Sequence, residues 1–233
     1  MKRFYKDAAP ERLDEAWRVA LDGRAIKTVA GRAQLVPTKK LAAALAAEWN
    51  AQEDELAPEL FVLRDLTDYA LDVVAPDRPA AVRALLAFAE TDTLCYRAEE
   101  GEPLHGRQLI MWEPLLAATE RRWDVHFSRV SGVIHQAQAT ATLDRLEAVI
   151  AAKDDFELAA LHTLASLTAS LAVGLAALER DADPYALWAA ANLEEDWQAE
   201  IWGKDDDAMV LRENRFATFA AAMRFAEMAR RDA

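Results

Sequence analysis

WRVALDGRAIKTV, residues 17–29, decides the architecture of the first third of the chain. Trp17 to Leu21 carries aromatic and β-branched side chains, and Asp22-Gly23 is a two-residue turn signal, because both central positions of a tight hairpin turn need positive φ. Ile26 to Val29 then reads as the returning strand. Outward from this hairpin, Arg3 to Lys6 is a further strand candidate, and a second turn at Gly31 leads to a short strand at Gln34 to Val36. Pro37-Thr38 ends that strand and can cap a helix, in which Leu41, Leu45, Glu48, Trp49 and Gln52 recur at helical spacing. Trp49 reads as a core anchor of that helix against the small sheet.

Beyond Ala57-Pro58 the pattern is almost wholly helical. Leu63, Leu66, Tyr69, Ala70 and Val73 give one helix, and Pro76-Asp77-Arg78-Pro79 breaks it. Further helices are expected near 79–92, 107–123, 139–152, 154–180, 184–202 and 205–231, with an extended excursion over Trp123 to Gly132. The expected fold class is therefore α+β: a small mixed α/β N-terminal domain over residues 1–77, followed by a larger all-α helical domain over 78–233. Leu158 to Leu178 is long and rich in Leu and Ala, but His162, Thr163, Ser166, Thr168 and Ser170 interrupt it and acidic residues flank it. It reads as a buried central helix with no membrane insertion.

Composition narrows the function classes. The 233 residues are 53% hydrophobic, enough for a real core, and carry 27 Lys plus Arg against 40 Asp plus Glu, a formal net charge of −13. Nucleic-acid affinity comes largely from Lys and Arg displacing counterions, so a nucleic-acid partner is disfavoured. The acidity is local: residues 1–60 hold ten basic and ten acidic side chains, whereas residues 150–207 hold three basic and thirteen acidic ones. One cysteine, Cys95, allows no intramolecular disulfide and fits a reducing compartment; with no apolar leader over Met1 to Ala16, cytoplasmic is the expected localisation.

The seven glycines form neither a Walker loop nor a dinucleotide fingerprint, and the four histidines show no paired metal-ligand spacing, so no cofactor, no metal site and no catalytic residue is expected. Asp205-Asp206-Asp207 reads as the N-terminal cap of the last helix rather than as a cation site. Cys95 has no histidine close in sequence and reads as a structural thiol.

Two segments combine charge and aromaticity more densely than a core or a solvated face requires. One is TDTLCYRA, residues 91–98, with Gln108, Trp112 and Glu113 after it; the other is NLEEDWQ, residues 192–198, ending in Trp202-Gly203. On one continuous helix Trp188, Glu195 and Trp202 lie seven apart and share a face, with Asn192 and Gln198 beside them. Pattern alone leaves that face equally open as a core seam or as an exposed partner-binding surface.

Arg3-Phe4-Tyr5-Lys6, Asp22-Gly23-Arg24 with Lys27-Thr28, EWNAQ at 48–52, TDTLCYRA at 91–98, Trp112-Glu113-Pro114-Leu115, and Leu193-Glu194-Glu195 with Trp197-Gln198 and Trp202-Gly203 occur in order over nearly the whole chain. Together they resemble the ATP synthase assembly chaperones that attend the alpha subunit of the catalytic head, the ATP-twelve chaperone family. The resemblance implies a two-domain, non-enzymatic chaperone that binds the unassembled alpha subunit and shields its beta-facing surface until assembly; relatives elsewhere are mitochondrial. It places the acidic partner-binding position at Glu194-Glu195. Glu195, between Trp188 and Trp202, is the expected recognition residue, with Glu194, Gln198, Trp188 and Trp202 around it. Trp49, Asp92, Cys95, Tyr96, Arg97 and Trp112 match family positions but read as structural, with an Arg97–Asp92 bridge fixing the segment around Cys95. The chain departs from the family in having Val62-Leu63-Arg64 where Pro-Leu-Thr is usual, and Glu113 where Asp is usual. The competing classes are a generic holdase and a small hydrolase or transferase using Cys95 or a carboxylate pair.

Overall fold

The computed structural model describes residues 1–132 and 134–231, which divide into two compact units. The first comprises Met1–Arg78 with Asp154–Ala160 and Ala221–Ala233. Its sheet is an antiparallel meander of β1 (Ala8–Leu13), β2 (Ala16–Leu21) and β3 (Arg24–Ala25) in that spatial order. Asp22 (φ 48°) and Gly23 (φ 78°) close the β2–β3 hairpin with the positive φ values such a turn demands. The Asp22 carboxylate also accepts the amides of Lys6 and Asp7, which holds its pKa below the usual carboxylate range.

The strand reading at Arg3–Lys6 does not hold. The chain there makes an isolated bridge at Lys2 to Glu55, and the Arg3 guanidinium reaches the carbonyls of Tyr5, Lys6 and Gln52. The outer strand is instead Ala8–Leu13, whose Pro10, Glu11 and Arg12 hide it from a propensity reading; proline is tolerated because this strand lies at the sheet edge. Ile26–Val29 and Gln34–Val36 likewise make single bridges, Lys27 to Ala33 and Val36 to Trp17. The loop between them is pinned by two carboxylates: Asp68 accepts from Val29 N–H and the Gln34 amide, and Asp72 accepts from Thr28 Oγ1 and Ala30 N–H.

Helix α1 (Lys39–Asn50) packs against β1 and β2 through Leu41, Ala42, Leu45, Ala46 and Trp49. Thr38 caps it, accepting from Leu41 N–H at 3.1 Å. Glu48 on the same helix caps α2 (Val62–Tyr69) by accepting the amides of Leu63 and Arg64 at 2.7 and 2.9 Å. Segments remote in sequence complete this unit: Phe156 and Phe225 stack at 5.9 Å, Thr38 Oγ1 donates to the Met228 carbonyl, and Glu157 pairs with Arg230.

The second unit, Pro79–Lys153 with Leu161–Ala220, is helical. In chain order its elements are α3 (Arg78–Glu90), β4 (Tyr96–Arg97), α4 (Pro103–Trp123), β5 (Val130–Ser131), α5 (Thr140–Ala151), α6 (Asp155–Thr168), α7 (Leu171–Ala177), α8 (Pro184–Ala191), α9 (Leu193–Trp202) and α10 (Asp206–Ala229), except that Arg78, the start of α6 and the end of α10 belong to the first unit. β4 and β5 form a two-stranded parallel ribbon, which accounts for part of the extended excursion after Trp123.

Two expected long helices are broken. The first, over 154–180, stops at Ala169, whose φ of 47° is left-handed, and restarts under a Ser170 cap that accepts from Val173 N–H. The reversal brings Gly174 so close to the preceding helix that a Cβ there would lie 3.0 Å from Leu161 Cδ1 and 3.3 Å from the Ala165 nitrogen. The second, over 184–202, breaks at buried Asn192 (φ −106°, ψ 18°), whose side-chain amide donates to the Trp188 carbonyl at 2.8 Å. No helix among the described residues is long and apolar enough to cross a membrane.

Candidate functional site

The break at Asn192 dissolves the shared face expected for Trp188, Glu195 and Trp202, because a helical stripe survives only while the helix is continuous. Trp188 belongs to the core: 6% exposed, it packs on Phe219 at 5.4 Å and Phe216 at 5.9 Å. Trp202 ends α9 and is 77% exposed. Gly203, with φ of 94°, terminates α9, and Asp205 starts α10 by accepting from Ala208 N–H, the capping role read from the sequence.

Uncovered apolar side chains flank this turn, and of them the sequence reading names only Trp202. Ile201 lies beside Trp202 on α9, and Val210 and Leu211 lie on the first turns of α10; all are more than half exposed. Their signal is Ile, Trp, Val and Leu within eleven residues of a strongly acidic stretch, where a soluble surface would ordinarily carry polar groups.

The carboxylates around this patch differ in availability. Glu194 accepts from the amide of fully buried Gln108 at 2.8 Å, and Gln108 in turn accepts from Ala98 N–H, so Glu194 is tied to the framework. Asp196 is held by both terminal nitrogens of Arg212. Glu200 pairs bidentately with Arg107 at 2.7 and 2.8 Å, which depresses its pKa, and the same guanidinium lies 4.5 Å over the Trp197 ring. Glu195 is different. Exposed like Glu194 and Glu200, it forms one ion pair among the described residues, a 3.9 Å approach to Arg215, a cation already 5.6 Å over the Trp188 ring. A long, solvent-screened contact of that kind is worth little and can be exchanged for a partner's cation. Gln198 is exposed on the same helix.

The six residues read as structural sit in two places. Trp49 is 8% exposed in α1, between Tyr5 at 5.5 Å and Phe61 at 4.6 Å. The other five belong to the 92–112 region. Asp92 is fully buried and clamps the α6–α7 break: it accepts from Ala172 N–H at 2.9 Å, Leu94 N–H at 3.0 Å and the Ser170 side chain, while burial pushes its pKa up to about 6. Thr93 completes the clamp by donating to the Ala169 carbonyl from both its amide and its hydroxyl.

The expected Arg97–Asp92 bridge is absent because Asp92 is consumed by that clamp. Arg97 donates instead to Glu113 at 3.0 Å and to the Leu94 carbonyl, over the Trp112 ring at 5.6 Å. Glu113 also binds Arg129 at 2.6 Å, so its extra methylene relative to Asp spans two guanidiniums. Trp112 donates its indole N–H to the Ala190 carbonyl at 2.7 Å. Tyr96 reaches His135 through its hydroxyl at 3.1 Å. Cys95 is buried and its thiol is pushed up to about 12, first by burial and then by the Asp92 charge, which leaves essentially no thiolate near neutrality.

The family model described as ATP12 chaperone protein matches residues 2–120, just over half the chain. The Schizosaccharomyces pombe "Protein atp12, mitochondrial" is 26% identical over 219 residues, covering 89% of this chain and 75% of the relative. Crystallised Atp12 from Paracoccus denitrificans superposes with a TM-score of 0.91 at 32% identity, over 98% of both chains. The Agrobacterium tumefaciens protein Atu1473 superposes at 0.93 with 34% identity, over 98% of this chain and 86% of its own. The family-model match over more than half of the chain, together with these likenesses at 32–34% identity over 98% of its length, places this chain in the ATP12 chaperone family.

Proposed function

We propose that this protein is a non-enzymatic chaperone of ATP synthase assembly. It holds the unassembled alpha subunit in the cytoplasm through the turn between α9 and α10 and shields the subunit's beta-facing surface until assembly. The observation that carries this reading is the run of exposed apolar side chains, Ile201, Trp202, Val210 and Leu211, on the two helices of a turn whose first helix also carries Glu195, an exposed carboxylate with one long contact among the described residues. A subunit awaiting its neighbour exposes apolar surface, and a binder that must later let go needs a few aromatic anchors with a polar rim rather than a large dry interface. Glu195 is suited to meet a basic group of the client, which sets orientation and association rate more than affinity. Glu194 and Gln198 flank it, and Trp188 supports the turn from the core. The inert Cys95 thiol and the neighbouring placement of Glu194 and Asp196, which point to different partners, speak against a hydrolase or transferase.

Purified alpha subunit and this chain, mixed at rising ionic strength, test the reading. A one-to-one complex whose association rate falls with salt, and falls again in Glu195→Lys, is expected. Unchanged binding and salt dependence in both Glu195→Gln and Glu195→Lys removes Glu195 from the interface. Mixed clients captured in place of the alpha subunit favour a generic holdase.

A further inference from the structure

A second surface lies in the first unit, where a groove of about 580 Å³ opens between the N-terminal segment at Phe4–Tyr5 and the outer edge of β3. Tyr5 and Trp49 give it an aromatic wall, and Leu21 and Ile26 add aliphatic surface. Trp49 contributes a buried indole N–H that finds no acceptor among the described residues. The rim is charged in an uneven way. The carboxylate of Asp22 is already spent on the amides of Lys6 and Asp7. Arg24 and Lys27 are exposed, and no ion pair is formed by either among the described residues, in a chain that carries thirteen more acidic than basic side chains. The uncompensated charge of this groove is therefore positive.

The backbone beside it is also open. Arg24 pairs with Leu21 and Ile26 N–H donates to Val19 at 3.1 Å, so both neighbours of Ala25 turn their polar groups toward β2. Antiparallel alternation then directs the N–H and C=O of Ala25 outward, along the free edge of the sheet.

An aromatic wall, two unpaired cations and an open peptide group at a strand edge describe the requirements of one ligand class. We propose that this groove receives an extended, acidic peptide segment, which sets an apolar side chain against Tyr5 and Trp49, turns neighbouring carboxylates toward Arg24 and Lys27, and adds its backbone to β3 at Ala25. The site is separate from the α9–α10 turn in residues and opposite to it in charge, so it would select a different part of a client or a different protein.

The test is an amide and indole NMR titration of the full chain with an acetylated, amidated pentapeptide alternating valine and glutamate about a central phenylalanine. A companion peptide carries lysine in place of glutamate. Saturable shifts at the Ala25 amide and the Trp49 indole are expected with the acidic peptide. Binding about tenfold weaker or more is expected for the lysine peptide, and for the acidic peptide with Arg24→Glu/Lys27→Glu, which is exposed and whose fold the same spectra verify. Equal binding of the two peptides, unchanged affinity in the double variant, or shifts confined to residues outside the groove overturns the proposal. So does occupancy by a second copy, seen as the same shifts on concentrating the protein alone. No alpha subunit is present, so failure here leaves the Glu195 reading intact, and failure of Glu195 leaves this one intact.

Discussion

The segments at 91–98 and 192–203 look alike in the sequence, since both mix carboxylates, aromatic rings and small polar groups, yet the fold treats them in opposite ways. In the first, Asp92 is fully buried among backbone and hydroxyl donors, Arg97 has a carboxylate and a carbonyl, and the Trp112 ring that follows is buried with its N–H satisfied. In the second, Trp202 faces solvent and Glu195 has one distant cation among the described residues. Density of functional-looking residues therefore does not separate a scaffold from a binding surface. The separation lies in whether each polar group has been satisfied by the chain itself.

The contrast is broken most severely at Asp92. Asp92→Ala strands the Ala172 and Leu94 amides and frees the α6–α7 reversal, and a loss of about 3–5 kcal/mol in urea denaturation is expected. A loss below about 1 kcal/mol would show that the segment is not the scaffold described here.

A pH comparison sharpens the same point. Burial raises the Asp92 pKa from 3.8 to about 6, so ionising it costs the folded state more than the unfolded one. Its contribution is therefore most favourable at low pH and declines as pH rises through about 6, then stays level. The stability advantage of the wild type over Asp92→Asn, which lacks this titration, should shrink by about 1–2 kcal/mol between pH 5 and pH 7. An advantage that grows over that range would contradict the raised pKa that burial gives this carboxylate.

Gly174→Ala tests the crowding that the reversal creates. A methyl group against Leu161 and the Ala165 backbone should cost about 1–3 kcal/mol. At the opposite pole, Trp202→Ala should leave the denaturation midpoint within about 0.5 kcal/mol of wild type while weakening alpha-subunit binding about tenfold or more. A large stability loss there would return Trp202 to the core. The smallest expected response is at Cys95, where a thiol reagent at pH 8 should show no labelling until the protein unfolds; rapid native labelling would mean an open segment.

What could be read from the sequence was local. The helices after residue 60 announce themselves through leucine and alanine at helical spacing, and Asp22-Gly23 marks its hairpin because only residues tolerant of positive φ close that turn. What escaped was decided at long range. The break at Asn192 depends on a buried amide reaching the Trp188 carbonyl, and the one at Ala169 is held by Thr93, 76 residues earlier. Neither carries a proline or glycine to flag it. The same holds for the site. Glu195 and Trp202 were visible as residue types, but their separation from buried Trp188 was not, and Arg97 found Glu113 because Asp92 was already taken by a helix start 80 residues away.

The completion of the first unit by Asp154–Ala160 and Ala221–Ala233 bears on how the protein is born. The Met228 carbonyl that receives Thr38 lies 190 residues after it, on the same helix, α10, as the Phe225 ring that meets Phe156. The sheet and α1 leave the ribosome early but must wait, incompletely covered, until α10 emerges, so the amino-terminal unit matures only after the helical unit between has been synthesised.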